Sequence, residues 1–262
     1  MTHNSLRSMI HSSTPIQAVT LNCPSPYLAE VIGHLSTMDC LIVDAEHGPV
    51  SEEGVENVAR AAELVGLPLL IRSAASGNEI HRLLGVGAVG IQAPHIDSPE
   101  DAAAVVETVK YRPLGTRGLG RSRSTSYGVQ AGSSIVDLAL AQNDESIVAV
   151  QIESSTGVRN VRAIVEVPGI DIVIAGKLDL SDSFGCPGET DAPAVLSAVD
   201  EIRDATLSAG KVYGLPVENP ESQARALEEG AGFILTSTTA LLAEGCESFD
   251  IEQDGSLVRR AP

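Results

Sequence analysis

The feature that most constrains this chain is an alternation, repeated eight times, of a short apolar run and a longer helix-like stretch. The apolar runs are Ile16-Gln17-Ala18-Val19-Thr20-Leu21, Cys40-Leu41-Ile42-Val43, Leu69-Leu70-Ile71, Ala88-Val89-Gly90-Ile91-Gln92-Ala93, Ile147-Val148-Ala149-Val150-Gln151-Ile152, Ile170-Asp171-Ile172-Val173-Ile174-Ala175, residues 212–217, and Gly232-Phe233-Ile234-Leu235-Thr236. They are β-rich and bounded by turn formers, as buried parallel strands are. Between them the spacing predicts helices over about 26–35, 51–65, 78–84, 98–110, 156–167, 191–209, 220–229 and 237–245. Ser51 with Glu52 and Glu53 behind it starts one helix, and Gly66-Leu67-Pro68 stops it. Ser98 caps another, with acids in its first turn. Eight such units without a linker or composition break predict a single-domain α/β chain, a (β/α)₈ TIM barrel over residues 16–250. A polar N-terminal tail (1–15) and a C-terminal tail (251–262) would flank it. A doubly wound open sheet is the alternative.

In such a barrel, chemistry belongs to the C-terminal strand ends. Those ends offer Asp44, Glu46 and His47, then Arg72, Gln92, Gln151 and Glu153, and finally Asp179. Glu153 and Asp179 follow consecutive strands, so a strand–helix–strand unit sets them side by side, where two acids need a cation or a shared proton. The plain alternative is that each caps the next helix. Two carboxylates make an incomplete cage that suits a divalent metal ion, Mg²⁺ or Mn²⁺, with water and a chelating 2-oxo acid completing it. Arg72 is placed to hold oxyanion charge. His47 is a proton shuttle near neutral pH, or else a structural histidine bonded to Asp44. Gly85-Val86-Gly87-Ala88-Val89-Gly90 matches a dinucleotide fingerprint in reverse context, following a helix and entering a strand, and reads as a helix-exit turn.

Composition narrows the partners. A net charge of -18 argues against nucleic acid and against an anionic membrane surface. No apolar run approaches the ~18 residues of a membrane helix, and residues 1–15 are too poor in apolar residues for a signal peptide. Cys23, Cys40, Cys186 and Cys246 lack C-x-x-C spacing and read as reduced, buried thiols of a cytoplasmic protein.

The motifs Val43-Asp44-Ala45-Glu46-His47-Gly48-Pro49, Ile71-Arg72, Tyr111-Arg112-Pro113-Leu114-Gly115-Thr116-Arg117-Gly118, Gln151-Ile152-Glu153-Ser154 and Asp179-Leu180-Ser181 resemble, in order, those of the HpcH/HpaI aldolase family. The resemblance covers roughly residues 25–245. It implies a (β/α)₈ barrel, commonly a hexamer, that makes or breaks a C–C bond through a pyruvate-type enolate. It also implies that Glu153 and Asp179 bind the metal, Arg72 stabilises the enolate and His47 acts as base. Gln151 and the backbone at Leu178 would contact the 2-oxo acid, with an aldehyde as second partner.

Two departures bear on the reaction. The family's L-L-D-x-G-A stretch, whose Asp supports a neighbouring subunit's histidine, is here Leu83-Leu84-Gly85-Val86-Gly87-Ala88. The family's G-P-x-D-L-S is here Gly176-Lys177-Leu178-Asp179-Leu180-Ser181, which sets one of only three lysines beside the site. Lys177 is expected to hold a substrate carboxylate electrostatically, because nearby acids would keep it protonated and therefore not nucleophilic. Arg112, Arg117, Arg121 and Arg123 follow strand four. They are expected either to capture an anionic substrate, such as a dicarboxylate or the phosphates of an acyl-CoA, or to bridge subunits. The first expectation is a metal-dependent 2-oxo acid aldolase or lyase. The second is a condensing enzyme of the same superfamily, citrate synthase-like, joining acetyl-CoA to oxaloacetate. A catalytically silent scaffold barrel is the third.

Overall fold

The computed structural model describes residues 5–247 apart from 13, 36, 75–76 and 130–131, so the expected tail at 251–262 lies outside the described residues. The strands are β1 (Ile16–Leu21), β2 (Cys40–Asp44), β3 (Leu69–Arg72), β4 (Gly90–Ala93), β5 (Ile147–Ile152), β6 (Ile172–Ala175), β7 (Val212–Pro216) and β8 (Phe233–Ser237). They close in sequence order into a barrel in which every neighbouring pair is parallel. The predicted helices are all present: α2 (Pro26–Leu35), α3 (Glu52–Val65), α4 (Asn78–Gly85), α5 (Pro99–Val109), α7 (Ser155–Val165), α9 (Pro193–Ser208), α10 (Pro220–Glu228) and α11 (Thr238–Glu247). Unforeseen are α1 (Leu6–Ile10), α6 (Ile135–Glu145) and α8 (Lys177–Ser183).

The period of two along each strand divides the protein into two apolar regions. Ile16, Ala18, Cys40, Ile42, Leu70, Ile147, Ala149, Ile172, Ile174, Phe233 and Leu235 fill the barrel interior. Their neighbours, such as Leu41, Val43, Ile71, Val148 and Val150, pack outward against the helices. Continuing the inward series toward the strand C-termini leads from Ile42 to Asp44, from Leu70 to Arg72, and from Ala149 to Gln151 and Glu153. The interior is therefore apolar for two layers and polar at its mouth.

The floor corrects the expectation of a polar tail over residues 1–15. Leu6 is buried and joins the interior cluster, while Arg7 pairs with Asp171 and donates to the Ser146 carbonyl at 2.5 Å. Leu6 packs there with Met9 and Ile10, but a five-residue helix is too short for their spacing to be read from sequence. The thiols need correcting too: only Cys40 is buried, whereas Cys23 and Cys246 are exposed and Cys186 is intermediate. Gly85 ends α4 and Gly87 turns the chain out at φ 118°, as expected of a helix exit. Among the described residues no helix is long and apolar enough to cross a membrane.

Candidate active site at the barrel mouth

Register brings the first three groups together. Asp44 on β2 lies beside Arg72 on β3, and Arg72 lies beside Gln92 on β4. Arg72 Nε and Nη2 donate to the two Asp44 oxygens at 2.9 and 2.6 Å, a fork that fixes the guanidinium plane. Glu46 Oε2 approaches Arg72 Nε at 3.4 Å. Burial alone would raise the Asp44 pKa, but the bonds and charge of Arg72 and the backbone N–H groups of His47 and Glu46 hold it below its usual value. Burial likewise opposes the charge on Arg72, and Asp44, Glu46 and Glu153 together keep its pKa raised. The turn carrying Glu46 and His47 is tight: a Cβ at Gly48 would meet the Asp44 carbonyl oxygen at 2.3 Å.

The second half of the mouth is built on β5. Gln92 donates to Gln151 at 2.5 Å, and Gln151 donates to Glu153 Oε2 at 2.7 Å. Glu153 Oε1 accepts the backbone N–H of His95 at 2.6 Å and faces His95 Nδ1 at 2.9 Å. His95 Nε2 reaches Glu46 Oε1 at 2.8 Å. Burial raises the Glu153 pKa, and the like charges of Asp179 and Glu46 add to it against the opposing effect of His95. Gly176 explains how β6 comes so close, since a Cβ there would stand 2.7 Å from the Glu153 Cβ and 2.8 Å from its Oε2. Asp179 lies in the first turn of α8, exposed, and near enough to Glu153 to act on its charge. Glu46, His95 and Glu153 present ligand atoms within 4.8 Å of one another.

Arg72, Gln151, Glu153 and Asp179 thus converge. His47 is at the rim with its side chain largely exposed, 3.7 Å from Glu46, and Asp44 accepts from its backbone N–H, not from its ring. Leu178 is exposed at the start of α8. Lys177 turns its amine to Asp191 at 2.9 Å. Arg117 is not brought to the acids: it is buried with its guanidinium 4.5 Å from the Tyr111 ring and lines a separate cavity of about 560 Å³ against α3 and α4. The arginine-bearing loop folds onto the outer helices because Tyr111 and Asn143 tie its base to α6 through paired bonds of 2.7 and 3.0 Å. Sequence reading missed His95. Its signal is position, two residues past the end of β4.

The family model for HpcH/HpaI aldolase/citrate lyase matches residues 19–242. The chain is 30% identical over 239 residues to a 2-keto-3-deoxy-L-rhamnonate aldolase of Klebsiella pneumoniae subsp. pneumoniae, covering 90% of this chain and 87% of that one. Among solved structures it is similar to an HpcH/HpaI aldolase from Desulfitobacterium hafniense (TM-score 0.85, 26% identity, 92% and 93% of the two chains). It is similar also to the citrate synthase SbnG (TM-score 0.82, 27% identity, 92% and 94%).

Proposed function

Because the chain belongs to the HpcH/HpaI aldolase/citrate lyase family, we propose that it is a carbon–carbon lyase, a class II aldolase that acts on a 2-oxo acid through a pyruvate-type enolate. The observation that carries this is the charge at the mouth. Asp44, Glu46, Glu153 and Asp179 face one permanent cation, Arg72, which two of them already engage. The excess suits a divalent ion, Mg²⁺ or Mn²⁺, with Glu153 and Asp179 as oxygen donors. When bound, it would supply a Lewis acid toward the carboxylate and keto oxygens of the substrate.

The remaining work falls to the chain. Arg72, its plane fixed by Asp44, donates to the oxygen on which enolate charge develops. Gln151, held between Gln92 and Glu153, orients the 2-oxo acid, and the backbone N–H of Leu178 binds its carboxylate. His47, exposed at the rim, moves the proton to and from the aldehyde-derived hydroxyl. The apolar Leu114, Leu119, Val129 and Val136, all exposed, fit burial in a homo-oligomer, a hexamer by family resemblance, and unpaired cysteines suit the cytoplasm. Similarity to SbnG and the Gly85 departure favour a second reading, condensation of acetyl-CoA with oxaloacetate.

Deuterium exchange of the pyruvate methyl group tests the first reading. Exchange should require Mg²⁺ or Mn²⁺ and fall by about 10²-fold or more in Glu153→Gln. Exchange that persists at wild-type rate in that variant or in chelator would refute it. Aldehydes against acetyl-CoA plus oxaloacetate then separate cleavage from condensation.

A further inference from the structure

We propose that the cavity between α3, α4 and the arginine-bearing loop is a second ligand site, outside the barrel mouth, that takes the carboxylate of a small organic monoanion on Arg117.

The first argument is an uncompensated charge. Arg117 is 6% exposed, and among the described residues no carboxylate lies within ion-pair distance of it. Its guanidinium stacks on the Tyr111 ring and donates from Nη2 to the Ser124 hydroxyl at 3.2 Å. A guanidinium carries five N–H donors, so one hydroxyl and one ring face leave most of that capacity to the cavity it lines. Burial lowers the Arg117 pKa, and the attraction opposing it comes from Tyr111 and not from an acid. A charge buried in this way is costly until a counter-ion reaches it.

The balance of the walls supplies the second. The other charged groups of the cavity are already matched: Glu52 by Arg82, Glu56 by Arg60 and Arg123 by Glu63. Arg117 is thus one positive charge in excess, in a chain of net charge -18. One excess charge suits a monoanion. Glu52 and Glu56 on the same wall would repel the second charge of a phosphate dianion, whereas the planar fork of a guanidinium matches the two oxygens of a carboxylate.

Shape supplies the third. A volume of about 560 Å³ is in the range of small-molecule sites. An adjoining cavity of about 400 Å³ shares Tyr111, Arg117 and Gly118 and is lined also by Leu119, Val136 and Leu140. Arg117 therefore stands where a charged hollow meets an apolar one, as a site for a carboxylate with an apolar body requires. The loop is held in place. Thr125, fully buried, donates to the Gly120 carbonyl at 2.8 Å and accepts the Ser122 N–H at 3.0 Å. Ser126, Tyr127 and Gly128 have φ of 49, 55 and 67° in succession, a left-handed run that sets Tyr127 on the cavity wall. Strained backbone of this kind persists where its surroundings impose it, and it clusters at functional sites.

Benzoate and inorganic phosphate are titrated by calorimetry, near neutral pH, into the full chain with EDTA present, so that the result does not depend on a metal at the mouth. Wild type should bind benzoate, and phosphate at least about 5-fold more weakly. Arg117→Met should weaken benzoate at least about 10-fold, while Arg72→Ala at the mouth should leave it within about 2-fold. Arg117 is buried, so Gly85→Asp provides a variant elsewhere on the wall. A Cβ at Gly85 meets the Ser122 Cβ at 3.6 Å, an ordinary contact. The added carboxylate should weaken benzoate by about 3-fold or more, whether it pairs with Arg117 or repels the ligand. Benzoate binding that is lost in Arg72→Ala, or unchanged in both Arg117→Met and Gly85→Asp, overturns the proposal. So does tighter binding of phosphate. Failure of wild type to bind benzoate also overturns it, and dissociation of an oligomer by Arg117→Met in sedimentation would then identify a carboxylate of a second copy as the occupant. None of these outcomes touches the aldolase reading, which deuterium exchange tests.

Discussion

At the floor of the barrel Arg7 is paired with Asp171, Asp171 also accepts the backbone N–H of Val148 at 2.9 Å, and Lys110 donates to the carbonyls of Asn143 and Ser146, both at 2.7 Å. At the mouth, four carboxylates share Arg72 and His95. Both ends cap the same apolar interior, but at the floor the Asp171 carboxylate has its own cation in Arg7, whereas at the mouth the carboxylates outnumber the cations. Buried polar groups left with uncompensated charge are costly, so an end that carries them needs a compensating partner from outside. The floor's charges hold a plug in place, and the mouth's charges wait for a cation and an anionic substrate. Substitutions at the two ends should accordingly separate activity from stability.

The largest effect is expected at Arg72. Arg72→Ala should lower kcat by roughly 10²–10³ through lost oxyanion stabilisation. Position on a barrel strand end suggests that the fold would not notice, because the residue faces the site. The structure adds a cost, since Asp44 is 1% exposed and would lose its bidentate partner. An unsatisfied buried charge of this kind costs about 1–3 kcal/mol. Urea unfolding should show that loss, and Asp44→Asn in the same background should restore stability without restoring turnover. A double variant that regains activity would place Arg72 outside the chemistry.

A smaller effect, with the opposite division, is expected at the floor. Leu6→Ala removes the apolar anchor of α1 from the barrel interior and should cost about 2–3 kcal/mol. Arg7→Ala should cost about 1–2 kcal/mol, because its pairing with Asp171 is only partly buried. In both variants kcat of the folded protein should match wild type. A fall in kcat without loss of stability would mean that the two ends are coupled through the interior.

What was legible follows from how many residues share a signal. Eight apolar runs with helical spacing between them declare the barrel many times over, and the strand positions of Asp44, Arg72, Gln151 and Glu153 follow from the alternation of side chains along β2, β3 and β5. α1 was not legible, since Leu6, Met9 and Ile10 span a single turn, too short a stretch to establish a period. His95 was not legible because its bridge between Glu46 and Glu153 is set by a left-handed turn, and nothing in an isolated Pro-His pair encodes that. The direction of Lys177 depended on Asp191, which lies 14 residues on and beyond α8. The placement of Arg117 depended on the loop's anchoring at Asn143.

The smallest effect is a pH dependence confined to the floor. Lys110 is 5% exposed, and burial, with the like charge of Arg7 added, pulls its pKa down to about 8 against the attraction of Asp171 and Asp144. Its folded value therefore lies below the unfolded 10.5. Between those values the unfolded chain binds the proton that the folded chain has released, so stability rises with pH across that window, by about 1 kcal/mol per unit. Below about pH 8 both states are protonated and the slope vanishes. Lys110→Met removes the titrating group and should flatten the rise in ΔG of urea unfolding between pH 8 and pH 10 relative to wild type. Equal slopes in the two proteins would mean that the carbonyls of Asn143 and Ser146 hold the ammonium charged across that window.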